Sequence, residues 1–190
     1  MNEIVKRISN QIWFEKNDEE RKILEYGLRI TLSEFINNLI ILIIAFITRS
    51  VLESILYVIT FDFLRQYSGS YHAKTYISCG ITYLVFYGVF LLLFFNILTV
   101  SHNTYSLLTC ISILFLFLVI PVENKNHKLS NREFRIFQIK GYSTVILYLI
   151  ILSISKLYNN WIIAKIISIV LIETMFSIIL ALFDVKLGGI

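Results

Sequence analysis

Apolar residues in this chain come in long blocks broken by short polar dents, and the blocks rather than any fine periodicity set the predicted elements. The longest stretch free of Asp, Glu, Lys and Arg runs from Thr75 to Val122, 48 residues. A helix needs roughly 20 residues to cross a bilayer, so this run holds two. Ser101-His102-Asn103 is the dent at which it turns, giving one segment at 77–99 and the next at 104–121, ended by Pro121. Four further blocks follow the same logic at 28–48, 51–64, 141–157 and 161–183. The block at 51–64 is short and carries Glu53 and Asp62, so it is tilted, extended at its ends or re-entrant. The expected fold is an all-α integral membrane protein of about six transmembrane or re-entrant helices.

Outside these blocks the period changes. Ile4, Ile8 and Ile12 recur every four residues with Val5 and Trp13 beside them, while Glu3, Lys6, Arg7 and Asn10 fall elsewhere on the wheel. That pattern is an amphipathic helix, on the membrane surface or packed on the protein itself. Asn17 precedes Glu20 by three, a start signal for a helix running into the first apolar block. Ser130 and Glu133 form a second capping box, with Leu129 and Phe134 placed as its hydrophobic staple. The whole reads as one membrane domain, 1–190: an interfacial N-terminal region 1–27, a bundle 28–183 and a tail 184–190.

Composition agrees with the blocks. The chain is 57% hydrophobic and 16% charged, whereas a soluble domain is nearer a quarter charged. A soluble globule, a disordered chain and a disulfide-rich secreted module are excluded. The charge distribution then sets orientation. With six spans, fourteen of the 17 Lys and Arg residues fall on one side, leaving Arg49, Lys156 and, inside the last segment, Lys165 towards the other. The positive-inside rule puts both termini of this multi-pass membrane protein in the cytosol. No signal peptide is visible. The net charge of +4 is explained by topology, so nucleic acid is not implied. The basic loop 123–140 lies against anionic lipid or docks an acidic peptide.

One polar loop concentrates chemistry. Between the second and third segments the chain reads Phe63-Leu-Arg-Gln-Tyr-Ser-Gly-Ser-Tyr-His-Ala-Lys-Thr-Tyr-Ile-Ser-Cys79, which gathers Arg65, Gly69, Ser70, His72, Lys74 and Cys79. Cysteine is a strong nucleophile as the thiolate. A histidine within reach takes the thiol proton and returns it to a leaving amine. His72 and Cys79 share a helical face, but seven residues of ideal helix rise roughly 10.5 Å. Direct contact therefore calls for a break between them, with Gly69 allowing a tight turn before the histidine. Asp62, at membrane depth and ten residues before His72, is the candidate to orient the imidazole. Cys110 reads as a structural thiol, and His102 and His127 as non-catalytic. Glu173, in mid-span, is expected to face other helices or a subunit partner and to pair with Lys165 or a polar group of the first segment. Two ligand-type residues in one loop fall short of a zinc set, so neither metal nor cofactor is expected.

The stretch Arg-Gln-Tyr-Ser-Gly-Ser-Tyr-His-Ala, with Cys79 seven residues after the histidine, resembles the signature of the accessory gene regulator B family. These are bacterial integral-membrane cysteine endopeptidases that process quorum-sensing propeptides. The charged amphipathic N-terminus, the six-segment plan and Pro121-Val-Glu-Asn-Lys opening a basic loop fit the same family, and the likeness covers essentially the whole chain. It implies Cys79 as nucleophile and His72 as general base and acid. Arg65 and Gly69 then fall on positions of structural or substrate-binding character. The family often has a Gly-Gly pair, and here the second position is Ser70. The implied reaction is cleavage of a small propeptide, with an amphipathic leader and an acidic C-terminal tail, through a thioester on Cys79. A cysteine or serine within the peptide then closes a thiolactone or lactone. A homodimer is a further expectation. The alternative reading is a non-enzymatic exporter or channel subunit, its path lined by Glu173 and the polar face of the first segment.

Overall fold

The computed structural model describes residues 18–69, 76–98, 101–122 and 130–187. Six α-helices account for nearly all of them: α1 (Asp18–Thr48), α2 (Val51–Ser68), α3 (Tyr76–Phe94), α4 (His102–Val119), α5 (Asn131–Leu157) and α6 (Trp161–Leu187). No strand occurs among the described residues. A bilayer offers the backbone no partners, so apolar chain crosses it as helix, with each N–H satisfied within its own segment.

The helix α6 is the axis of the bundle. Ile166–Met175 are buried without interruption, and α2, α4 and α5 pack most extensively around it, with α3 touching it less. A helix apolar on all sides is one enclosed on all sides. By contrast, α1 lies at the periphery against α2 and α3. Its other face leaves Phe35, Leu39, Ile43, Phe46 and Ile47 exposed. Bare apolar surface of this extent marks contact with lipid. Aromatic rings fill the seam between α2 and α3, where Tyr57 stacks on Phe61 and Phe90 at centroid distances of 5.4 and 4.2 Å.

Three helices are long and apolar enough to cross a membrane by themselves, over Gly27–Thr48, Asn131–Leu157 and Trp161–Phe183. Two shorter apolar stretches, Ser78–Phe94 and Asn103–Val119, accompany them. The chain is thus a membrane protein built from helices of unequal reach. The short block at 51–64 resolves as an extended helix, continuing through Arg65-Gln66-Tyr67 to Ser68. The third segment stops at Phe94, not at 99, because Asn96 takes a left-handed conformation with φ 57° and turns the chain. The helix expected to start at Asn17 and run into the first block is present as α1, and Pro121 follows the end of α4. The capping box of α5 is complete: the Glu133 amide donates to Ser130 Oγ at 3.3 Å, and the Ser130 amide donates to Glu133 Oε2 at 2.9 Å. The amphipathic N-terminus, Leu129 and the C-terminal three residues lie outside the described residues.

The two ends of the bundle are connected differently. At one end α1, α3 and α5 close on the left-handed residues Arg49, Asn96 and Asn159. The α1 and α5 termini have the paired hydrogen bonds of a Schellman motif: Ser50 N to Ala45 O at 2.9 Å with Arg49 N to Phe46 O at 3.3 Å, and Asn160 N to Ser155 O at 2.7 Å with Asn159 N to Lys156 O at 3.2 Å. At the other end the connections run over 69–75 and 120–130, against 49–50, 95–101 and 158–160 at the first, and the chemistry-bearing loop is one of them.

Candidate active site

Helix α2 delivers Asp62 and Arg65, three apart and so on one face. Helix α3 delivers Cys79 in its first turn and Tyr83 four residues on, again on one face. Between the two helices, Arg65 Nη2 donates to Cys79 Sγ at 3.5 Å. The guanidinium carbon also lies 5.7 Å from the centroid of the Tyr83 ring. The Asp62 carboxylate hydrogen bonds with the Tyr83 side chain and lies within electrostatic reach of Arg65. The Tyr83 hydroxyl is 3.3 Å from Asn38 Oδ1, which brings α1 into the group.

The sulfur is half-buried and forms no disulfide. A guanidinium beside it places fixed positive charge where negative charge develops during attack. The start of a helix adds unpaired backbone N–H groups near the same atom. Among the described residues no group of three or more His, Cys, Asp and Glu side chains gathers to hold a metal.

Gly69 has a more exacting role than turn formation alone. It caps α2 in the left-handed region, φ 74°, where glycine alone is unstrained. A Cβ on it would collide with the Val122 carbonyl oxygen and sit 2.8 Å from Val122 N and C. The Val122 amide in turn donates to Ser68 O at 3.0 Å. The loop entering the His72 stretch is thereby pinned to the segment after Pro121. Gly141 of α5 completes the junction, since a Cβ there would lie 3.0 Å from Ile120 Cδ1 and 3.4 Å from Tyr67 O.

Of the site residues expected from sequence, the structure brings Cys79, Arg65 and Asp62 together and places Gly69 at the mouth of the connecting loop. Ser70 and His72 lie outside the described residues, as does the break expected between His72 and Cys79. Asn37, Asn38 and Tyr83 join the site without having been singled out. A Cβ on Gly80 would fall 2.8 Å from Asn37 Oδ1, so Asn37 packs directly over the residue after Cys79. The signal for these was present: two asparagines in an apolar block and a tyrosine four residues after the thiol.

Glu173 is 2% exposed. Its Oε2 accepts from Tyr57 Oη at 2.6 Å, while Oε1 has no partner. The interhelical partner is thus Tyr57 of α2, and Lys165 is engaged elsewhere, donating to Phe94 O and Asn96 Oδ1 at 2.8 and 2.6 Å. Lys165 stands eight residues before Glu173 on the same helix, a rise of about 12 Å, so the two do not meet. Cys110 is exposed and free, and His102 opens α4 at the end of the bundle remote from Cys79.

The sequence model of the family described as accessory gene regulator B matches residues 1–180. A relative from Clostridium perfringens (strain 13 / Type A), "Putative AgrB-like protein 2", is 26% identical over 177 residues, covering 85% of this chain and 79% of its own. No solved structure matches.

Proposed function

We propose, from the premise that the chain belongs to the accessory gene regulator B family, that it is the membrane-embedded cysteine endopeptidase of a quorum-sensing peptide pathway. Membership implies a role in processing such a peptide; the identity of the nucleophile and the course of the reaction are our reading. One observation supports it above the rest: the Cys79 sulfur lies at the start of a helix with an arginine at 3.5 Å, at the end of the loop that carries His72.

In this mechanism His72 takes the thiol proton as Cys79 Sγ attacks a backbone carbonyl of a small propeptide. Arg65 supplies positive charge beside the sulfur. The amide C–N bond breaks, His72 returns the proton to the leaving amine, and the N-terminal piece remains as a thioester. A cysteine or serine within that piece attacks the thioester carbonyl. Its proton returns to the Cys79 sulfur, and a thiolactone or lactone is released. A tethered nucleophile has high effective molarity, and a site at the bilayer edge limits competing water. Asp62 orients the site through Arg65 and Tyr83. The propeptide has an amphipathic leader and an acidic tail; with six membrane passages both termini share one side, and the excess of Lys and Arg on it argues for the cytosol. Glu173 is bonded to Tyr57 and enclosed, so the chain reads as a processing enzyme before an exporter.

The test uses full-length protein in liposomes with its propeptide. Cys79→Ala and His72→Ala each abolish cleavage while the protein still inserts, and a thioester to Cys79 is captured when the ring-closing residue of the peptide is replaced. Normal processing by either variant would overturn the assignment.

A further inference from the structure

At the end of the bundle remote from Cys79, a cavity of about 220 Å³ opens between the α3–α4 turn, the first half of α4, the last turn of α5 and the start of α6. Asn96, Tyr105, Ser106, Lys156, Trp161 and Lys165 are among its lining residues, and no carboxylate is among the described residues that line it. Among the described residues neither Lys156 nor Lys165 forms an ion pair with an acidic side chain. The Lys165 ammonium has three N–H donors, and Phe94 O and Asn96 Oδ1 take two of them. Lys156 is exposed. Two cations, hydroxyls and an amide, with no acid among them, form a receptor for an anion.

The surroundings specify what carries the anion. Beside these groups the side chains of Ile154, Leu157, Tyr158, Trp161 and Ile162 are exposed, Leu157 to 79% and Tyr158 to 82%. Apolar chain with Trp and Tyr at a helix end is the composition of a membrane–water boundary. The cavity is smaller than the ~300–1,000 Å³ usual for drug-sized ligands, so it accommodates a headgroup but not the tails. We propose that it binds the phosphate of an anionic phospholipid between Lys156 and Lys165, with the acyl chains lying along the bare strip of α5 and α6. Zwitterionic lipids carry the same phosphate, but their headgroup cation would face two ammoniums. Phosphatidylglycerol should therefore be preferred to phosphatidylcholine. This site is independent of the Cys79 chemistry.

The experiment is native mass spectrometry of the full-length protein after equilibration in mixed micelles of phosphatidylglycerol and phosphatidylcholine. Wild-type protein is expected to retain phosphatidylglycerol over phosphatidylcholine by about tenfold or more, taking each near-surface lysine at ~1 kcal/mol. Lys156→Gln with Lys165→Gln removes the preference. Lys156→Gln alone touches no bond of the fold and lowers it by about threefold to fivefold. Arg49→Gln, a cation at the same end but outside the cavity, leaves it intact. Equal retention of the two lipids by wild type, or an unchanged preference in the double variant, overturns the proposal. So does protection by inorganic phosphate alone with no lipid selectivity, which would mark a free-anion site.

Discussion

The two ends of this bundle are made from the same six helices and do opposite things with their connections. At the remote end two of the three turns are tight Schellman motifs, and side chains reinforce them. Thr48, Ser50, Ser54 and Tyr87 form a chain of hydroxyls at 2.7, 3.3 and 2.8 Å. Lys165 ties α6 to the end of α3. At the Cys79 end neither connection is shorter than seven residues, and the polar groups are side chains gathered from three helices. Paired backbone hydrogen bonds close two turns at the first end, and side chains from separate helices meet at the second. The comparison teaches that the tightly closed turns lie away from the sulfur, and that the loop carrying His72 joins helices at the other end.

Substitutions can break this contrast. The largest effect is expected at Arg65. Arg65→Gln keeps length and polarity but removes the charge beside the sulfur, and propeptide cleavage should fall by about a hundredfold, the loss of roughly 2.7 kcal/mol of transition-state stabilisation. Alkylation of Cys79 by a neutral reagent should slow in parallel, whereas a purely structural role would leave that rate unchanged. Gly69→Val comes next. It combines left-handed strain with a collision at the Val122 carbonyl, and should cost about 3 kcal/mol or more in stability. Thermal unfolding in detergent reads the loss directly, and propeptide cleavage fails with it.

A smaller effect is expected inside the bundle. Tyr57→Phe leaves both oxygens of Glu173 without a partner, at a cost of about 1–3 kcal/mol. The double change Tyr57→Phe with Glu173→Leu should recover much of that loss, because removing both partners is far less costly than removing one. At the remote end, Arg49→Gly should raise stability by about 1 kcal/mol, since glycine relieves the left-handed backbone at φ 55°. Cleavage should be unaltered. A matching loss of activity would erase the distinction between the two ends.

Much of the helical plan is legible in the sequence because it depends on local signals. Pro121 stops α4, Ser130 and Glu133 start α5, and Gly69 turns the chain, each readable from its neighbours. The end of α3 is not, because Ile97 and Leu98 continue the apolar run past the one residue that turns, Asn96. The site is half legible. Cys79 and Arg65 stand in one motif, but their contact depends on how α2 and α3 rotate against each other. Asn37 over Gly80 and Tyr57 with Glu173 join positions 43 and 116 residues apart, and no periodicity within one segment fixes the facing of two.

The hydrogen bond from Val122 to Ser68, with Gly69 wedged against the same peptide, has a practical corollary for anyone building chimaeras. Transplanting residues 69–75 from a relative to alter which peptide is accepted would graft a loop onto a foreign anchor. Exchanged together with 120–122, the two pieces should travel as a single cassette.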